Sequence, residues 1–210
     1  MNRMLVILIL SLFISCMGRH NSKAQKATIT NTKLKPTALI DGDTTYIDKV
    51  NSNIHWKGTK MRGAGKHEGE IDLKNGYLIS ECGQLVGGKF VVDMTTILVT
   101  DIPEHETIPR NNLNNHLKSQ DFFDVEKHPN AEFQITIIDQ TTADSLKVAG
   151  FLTLKDVTRH IEFFANYEND TFATKFTINR YEWDIAYTGS WSDRTLVDKN
   201  IEMNITLLTE

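Results

Sequence analysis

From residue 44 to the C-terminus the chain repeats one pattern, an apolar side chain at every second position. Val50, Ile54 and Trp56 share one parity, and Asn51, Asn53, His55 and Lys57 share the other. Phe90, Val92 and Met94 oppose Lys89, Asp93 and Thr95, and Phe133, Ile135 and Ile137 oppose Glu132, Gln134 and Thr136. Leu146, Val148, Leu152 and Leu154 fall with Gly150, opposite Lys147, Thr153 and Lys155. Three further runs follow: Ile161, Phe163, Ala165 and Tyr167; Phe172, Phe176 and Ile178; and Ile201, Met203, Ile205 and Leu207. A period of two sends successive side chains to opposite faces of an extended strand, so each run reads as half-buried antiparallel β. Evenly spaced runs of this kind predict an all-β domain, either a sandwich or a closed barrel.

Turn residues divide the runs. Asn75-Gly76, between apolar positions 71–73 and 77–79, predicts a hairpin. Asn169-Asp170 and residues 142–144 predict looser turns, and Gly83, Gly87 and Gly88 mark a bend or bulge before Lys89. Residues 111–119 break the pattern: Leu113 and Leu117 stand four apart after Pro109, which predicts a short helix lying across an open barrel end. The apolar runs number more than eight. Residues 183–187 therefore either continue the preceding strand past a bend at 179–181, or residues 71–79 form one extended hairpin.

The N-terminus supplies an address. Arg3, an apolar stretch at 4–14 interrupted only by Ser11, and then Ser15 before Cys16 read as a lipoprotein signal. The stretch is far short of the roughly 20 residues that span a bilayer. The expected organisation is a signal peptide at 1–15, an acylated Cys16 with a flexible tether at 16–43, and a β-barrel domain at 44–210. An edge strand at 38–40 is the alternative for the tether's end. The expected location is an exported protein, lipid-anchored to a bacterial membrane on its periplasmic or cell-surface side. Acylated Cys16 leaves Cys82 without a disulfide partner, and Cys82 reads as a small buried residue. Stability then rests on the core, for which 40% hydrophobic residues suffice. A net charge of −4 gives no electrostatic footprint for nucleic acid.

Chemistry-bearing motifs are sparse. The seven histidines form no closely spaced ligand pair, so no metal site is expected. No nucleophile elbow is present, and Gly63-Ala64-Gly65 lacks the helix and Lys-Ser/Thr that a phosphate loop needs. The apolar parity carries the functional content instead. In a barrel it would point inward, and an eight-stranded barrel either fills with side chains or holds one small ligand. Composition does not separate these two outcomes.

Several segments carry a family resemblance. They are residues 46–56, His67-Glu68-Gly69, residues 88–94, residues 117–129 with Ala131-Glu132-Phe133, and residues 148–158. In order and spacing they resemble YceI-like proteins, the lipocalin-like, polyisoprenoid-binding periplasmic family, over about 46–209. Asp156 stands where glycine is commoner. The resemblance implies an eight-stranded antiparallel barrel, partly covered by a helical segment, whose interior holds a long isoprenoid chain. It shifts the expectation from a solid to a hollow interior and brings no catalytic residues or cofactor. The expected ligand-lining residues are Trp56, Phe90, Val92, Met94, Phe133, Ile135, Leu152, Phe163, Phe176, Ile178 and Trp183. The leading expectation is a membrane-tethered, non-enzymatic lipid carrier or reservoir of the cell envelope. The alternatives are a solid-cored interaction module with exposed aromatics around Phe122, Phe123 and Trp191, and a lipid-modifying enzyme.

Overall fold

The computed structural model describes residues 22–30, 42–142, 144–186 and 197–210. Two short strands, β1 (Gln25–Lys26) and β2 (Thr28–Thr30), precede eight long ones. The long strands are β3 (Asp43–Lys60), β4 (Gly65–Glu81), β5 (Gln84–Val99), β6 (Asn130–Thr142), β7 (Ser145–Leu154), β8 (Val157–Glu168), β9 (Thr171–Asn179) and β10 (Val197–Thr209). From β3 to β9, each strand whose successor adjoins it pairs antiparallel, and β10 joins β9 to β3. β8 and β9 meet from Ala165↔Thr174 to Glu168↔Thr171, which closes the ring. Of the sandwich and the barrel that the alternation leaves open, the chain forms the eight-stranded antiparallel barrel that the family resemblance implies. Closure leaves no long unpaired sheet edge.

Bulges and turns correct the strand reading locally. Asn75-Gly76 is not a hairpin, because β4 runs straight through it with a register shift between Leu73 and Asn75. Gly76 is needed for close approach: a Cβ there would stand 2.7 Å from the Phe90 ring. The tight turn lies at Cys82-Gly83, where φ values of 50° and 77° put both central residues in the left-handed region of a type I′ hairpin. Cys82 is consequently exposed rather than buried. Asn169-Asp170 makes a second such turn, with φ of 48° and 57°. Register shifts also reverse parity: Val50 in β3 and Ile137 in β6 face solvent, while Ile138 turns to the core.

The helix α1 (Thr107–Lys118) begins earlier than the Leu113–Leu117 spacing alone suggests. Pro109 sits in its first turn, where no intrahelical N–H bond is required. Leu117 is buried and Leu113 packs against the core. Asn114 accepts from the Val99 N–H at 2.9 Å and the Arg110 Nε donates to the Val99 carbonyl at 3.1 Å, which pins α1 to the end of β5. The helix therefore belongs to one barrel end, the cap end, together with the β3–β4 connection and the 3₁₀ turn Arg180–Trp183. Residues 183–186 continue no strand.

Residues 25–30, expected as flexible tether, are sheet. β8 and β9 part company toward the cap end, and this segment fills the gap. β1 pairs parallel with β9 (Gln25↔Phe176) and β2 antiparallel with β8 (Thr28↔Glu162). Ala27 is buried, and its N–H donates to the Thr177 carbonyl at 2.9 Å. The physical reason is backbone accounting: parted strands leave donors and acceptors that must find partners. The signal peptide, Cys16, residues 16–21 and 31–41 of the tether (with the alternative strand at 38–40) and Trp191 lie outside the described residues.

Candidate functional site

The barrel interior is filled at one end and hollow at the other. Away from the cap, Ile47, Leu78, Leu146, Val148 and Ala165 are buried and do not border the cavity, which reaches toward this end only along β9 and β10, at Phe172 and Leu207. Toward the cap lies a cavity of about 240 Å³ walled by inward residues of every long strand. Trp56, Phe90, Val92, Met94, Phe133, Leu152, Phe163, Phe176 and Ile178 lie on its wall. Ile135 and Trp183 do not. Ile135 points inward below the cavity, at the level of Gly88 and Gly150, within the filled part. Trp183 leaves the barrel wall for the 3₁₀ turn, where its Nε1 donates to the Leu152 carbonyl at 3.1 Å.

Aromatic rings line one side of the space. Phe163 stacks on Phe176 with centroids 4.4 Å apart, and Phe133 approaches Phe163 at 5.4 Å. The cap supplies the roof through Leu113, His116, Leu117, Phe122 and Phe123. Phe122 and Phe123 are not an exposed patch. After α1 the chain folds into a tight turn in which Phe123 N bonds Leu117 O, Asp124 N bonds Ser119 O and Val125 N bonds Lys118 O. Off a strand, adjacent residues escape the two-face rule, so both rings reach the cavity, edge to face at 4.9 Å. Lys155 Nζ donates to the Phe122 carbonyl at 2.9 Å, tying the β7–β8 turn to this roof.

Polar groups gather at the cap end, and sequence reasoning missed them as a set. Thr59, Lys60, His67, Arg180 and Asp198 all border the cavity. Most are tied into the frame. His67 Nδ1 lies 3.1 Å from Asp101, and Asp198 accepts from Thr59 Oγ1 at 2.6 Å and the Gly63 N–H at 3.1 Å. Arg180 is 1% exposed. Its guanidinium donates to the carbonyls of Ile185 (2.6 Å), Val197 (3.2 Å) and Asp198 (3.2 Å), and rests 4.4 Å from the centre of the Tyr181 ring. Burial pulls its proton affinity below the ordinary guanidinium value, while Tyr181 and Asp198 act in the other direction. It remains a cation. Its only legible signal was a charged residue two positions after Ile178, on the parity of the apolar Phe176–Ile178 alternation. Among the described residues no group of three or more His, Cys, Asp or Glu side chains is arranged to hold a metal ion.

Comparison with known proteins agrees with this geometry. Residues 46–208 match the family model described as YceI-like domain. A UPF0312 protein of Pseudomonas putida strain W619 is 31% identical over 97 residues, covering 41% of this chain and 50% of that protein. The chain thus spans about half the length of the curated relatives it matches. The crystal structure of BcnA from Burkholderia cenocepacia superposes with a TM-score of 0.65 at 17% identity, covering 78% of this chain and 99% of that one. A polyisoprenoid binding domain from Saccharophagus degradans, implicated in plant cell wall breakdown, gives a TM-score of 0.59 at 12% identity over 79% of this chain and 97% of that one. At these identities the two structures establish the fold.

Proposed function

This chain belongs to the YceI-like domain family, and from that premise we propose that its barrel binds a long apolar lipid of isoprenoid type. The observation that carries the reading is the hollow, carbon-walled half of the interior. An empty cavity of about 240 Å³ costs on the order of 6 kcal/mol in forgone packing. That is comparable to the whole net stability of many domains, about 5–15 kcal/mol. An occupant that restores those contacts removes the penalty. Each five-carbon isoprene unit contributes roughly 3–4 kcal/mol on burial, offset in part by the ordering of a flexible chain. The binding domain of Saccharophagus degradans with the same fold supports the ligand class.

The reading is of a binding protein without catalysis. In its favour, the polar groups at the cavity rim serve the frame: Asp198 holds the β3–β4 connection, and Arg180 holds backbone carbonyls. We further assign the protein to the cell envelope, exported and anchored through acylated Cys16, where it acts as carrier or reservoir. Two or more acyl chains hold a protein firmly to a membrane, whereas one does not.

Native mass spectrometry of the protein released gently from its source membranes tests the ligand, and a retained isoprenoid lipid is expected. Protein that emerges empty and takes up no added polyprenyl lipid overturns the reading. Changing Cys16→Ser tests the anchor. The variant is expected in the soluble fraction with ligand binding intact; if it stays membrane-bound, the acyl anchor is wrong.

A further inference from the structure

One atom on the cavity wall has no partner. Trp56 is 8% exposed, lines the cavity, and its Nε1 is closed off from solvent with no hydrogen-bond acceptor among the described residues. The contrast with Trp183 is direct, since that indole, also buried, donates to the Leu152 carbonyl at 3.1 Å. Buried donors in native proteins are almost always satisfied, and an orphan calls for an explanation. A trapped water would itself need two or more polar partners. Around Trp56 the inner face is Ile54, Gly58, Ile71 and Met203. The nearest polar wall residue by register, His67 opposite Gly58, is engaged with Asp101 through its Nδ1.

The indole is also held in place. It lies over Gly69, its register partner on β4, where any Cβ would stand 2.8 Å from Trp56 Cζ2 and 1.8 Å from the Leu98 carbonyl oxygen. The neighbouring sheet therefore keeps the ring where it is, and among the described residues no group on wall or roof takes its N–H. Only the occupant of the cavity remains.

We propose that the bound lipid carries an oxygen acceptor that takes the Trp56 Nε1–H bond, making this indole the anchor for the ligand's head group. The inference rests on the lipid-binding reading above and narrows it. A bare hydrocarbon leaves the donor orphaned; an isoprenoid with a carbonyl or phosphate oxygen satisfies it. The oxygen then lies in the cap half, where Lys60 and Arg180 also border the cavity. The tail lies along Phe133, Phe163 and Phe176.

The test uses the delipidated full chain with nitrogen-15 in its indoles. Three probes of equal chain length are titrated: geranylgeranylacetone, geranylgeranyl monophosphate and the corresponding isoprenoid hydrocarbon. The Trp56 indole resonance, identified by its absence in Trp56→Phe, should move downfield with an oxygen-bearing probe and not with the hydrocarbon. Trp56→Phe should bind that probe about three- to tenfold more weakly and the hydrocarbon with unchanged affinity. A shift with the ketone alone assigns a neutral head, and a shift with the phosphate alone assigns an anion; either supports the anchor. If all probes bind, the indole does not move and Trp56→Phe binds as the parent does, the anchor is refuted and the lipid-binding reading stands. If no probe binds, hydrocarbon included, both fall.

Discussion

The two halves of this barrel are built from the same strands and end in opposite states. In the half away from the cap, Leu78, Val148 and Ala165 are buried in the core and border no part of the cavity. In the cap half, the continuations of those strands carry Ile71, Leu152 and Ile161 around open space. The closures differ too. One end is sealed by two-residue turns such as Cys82-Gly83 and Asn169-Asp170; the other also has one, Lys155-Asp156, but adds two long connections that contribute α1, the Phe122–Phe123 roof and the Arg180 clasp. A short turn brings no side chains inward, so its barrel end must fill itself from the strands. A long connection can bridge a wide mouth and leave the space beneath it to a ligand.

Truncation should separate the halves most sharply. Leu78→Ala in the filled half is expected to cost about 3 kcal/mol in chemical denaturation. Met94→Ala on the cavity wall should cost about half as much, because its side chain already lacks partners on one side. Equal costs in lipid-free protein would mean that the cavity is not empty space. Enlargement should reverse sign. Ala165→Leu overpacks the filled half and should destabilise by about 1–3 kcal/mol. Ala131→Leu, which projects into the cavity, should stabilise the lipid-free protein by about 1 kcal/mol while weakening lipid uptake. An Ala131→Leu protein that binds lipid unchanged would place the ligand elsewhere.

The strand inserted between β8 and β9 borders only the hollow half. Ala27→Asp buries a charge there and should expel residues 25–30. Hydrogen exchange at residues 160–162 and 176–177 is expected to accelerate at least about tenfold, with no change around Leu78 and Val148. Acceleration in both halves would show one cooperative unit. The smallest effect concerns acid. Burial raises the Glu202 carboxyl's proton affinity, but the Ser22 hydroxyl and Lys175 outweigh it, so its pKa is lowered on folding. Its contribution is complete above the ordinary carboxylate value and is lost as pH falls through the lowered one. Glu202→Gln should therefore cost at most about 1 kcal/mol at neutral pH, and should flatten the decline in stability below about pH 4.

Much of the wall was legible before any coordinates. Strand parity alone puts Trp56, Phe90, Met94 and Phe163 inside, because a period-two pattern records which face of a strand is dry. The same rule failed at Ile137, where a bulge inserts one residue, and at Val50, which lies in a longer irregularity of β3 between Tyr46 and Ile54; both exchange the faces. It also could not see residues 25–30, since two strands of two and three residues with only Ala27 and Ile29 packed against the core leave almost no periodic trace. The sequence shows the roof as a helix, yet its Phe122 and Phe123 enter only as exposed aromatics of the alternative reading, because off a strand no parity says where a ring points. The rim groups Lys60, His67, Arg180 and Asp198 come from four separate elements, and no spacing in the chain links them.

What the sequence determined by itself was therefore local and periodic: the antiparallel strands, the apolar inner face and a helix apart from the sheet. Side-chain alternation is a direct record of solvation, and it can be read one strand at a time. Tertiary structure alone decided where the interior is filled and where it stays open. That outcome depends on register, bulges and the length of the connections at each end, which bring together residues far apart in the chain. The lone donor on Trp56 belongs to this second class. The sequence marks the residue as apolar wall, and only the closed barrel shows that no described residue accepts its hydrogen bond.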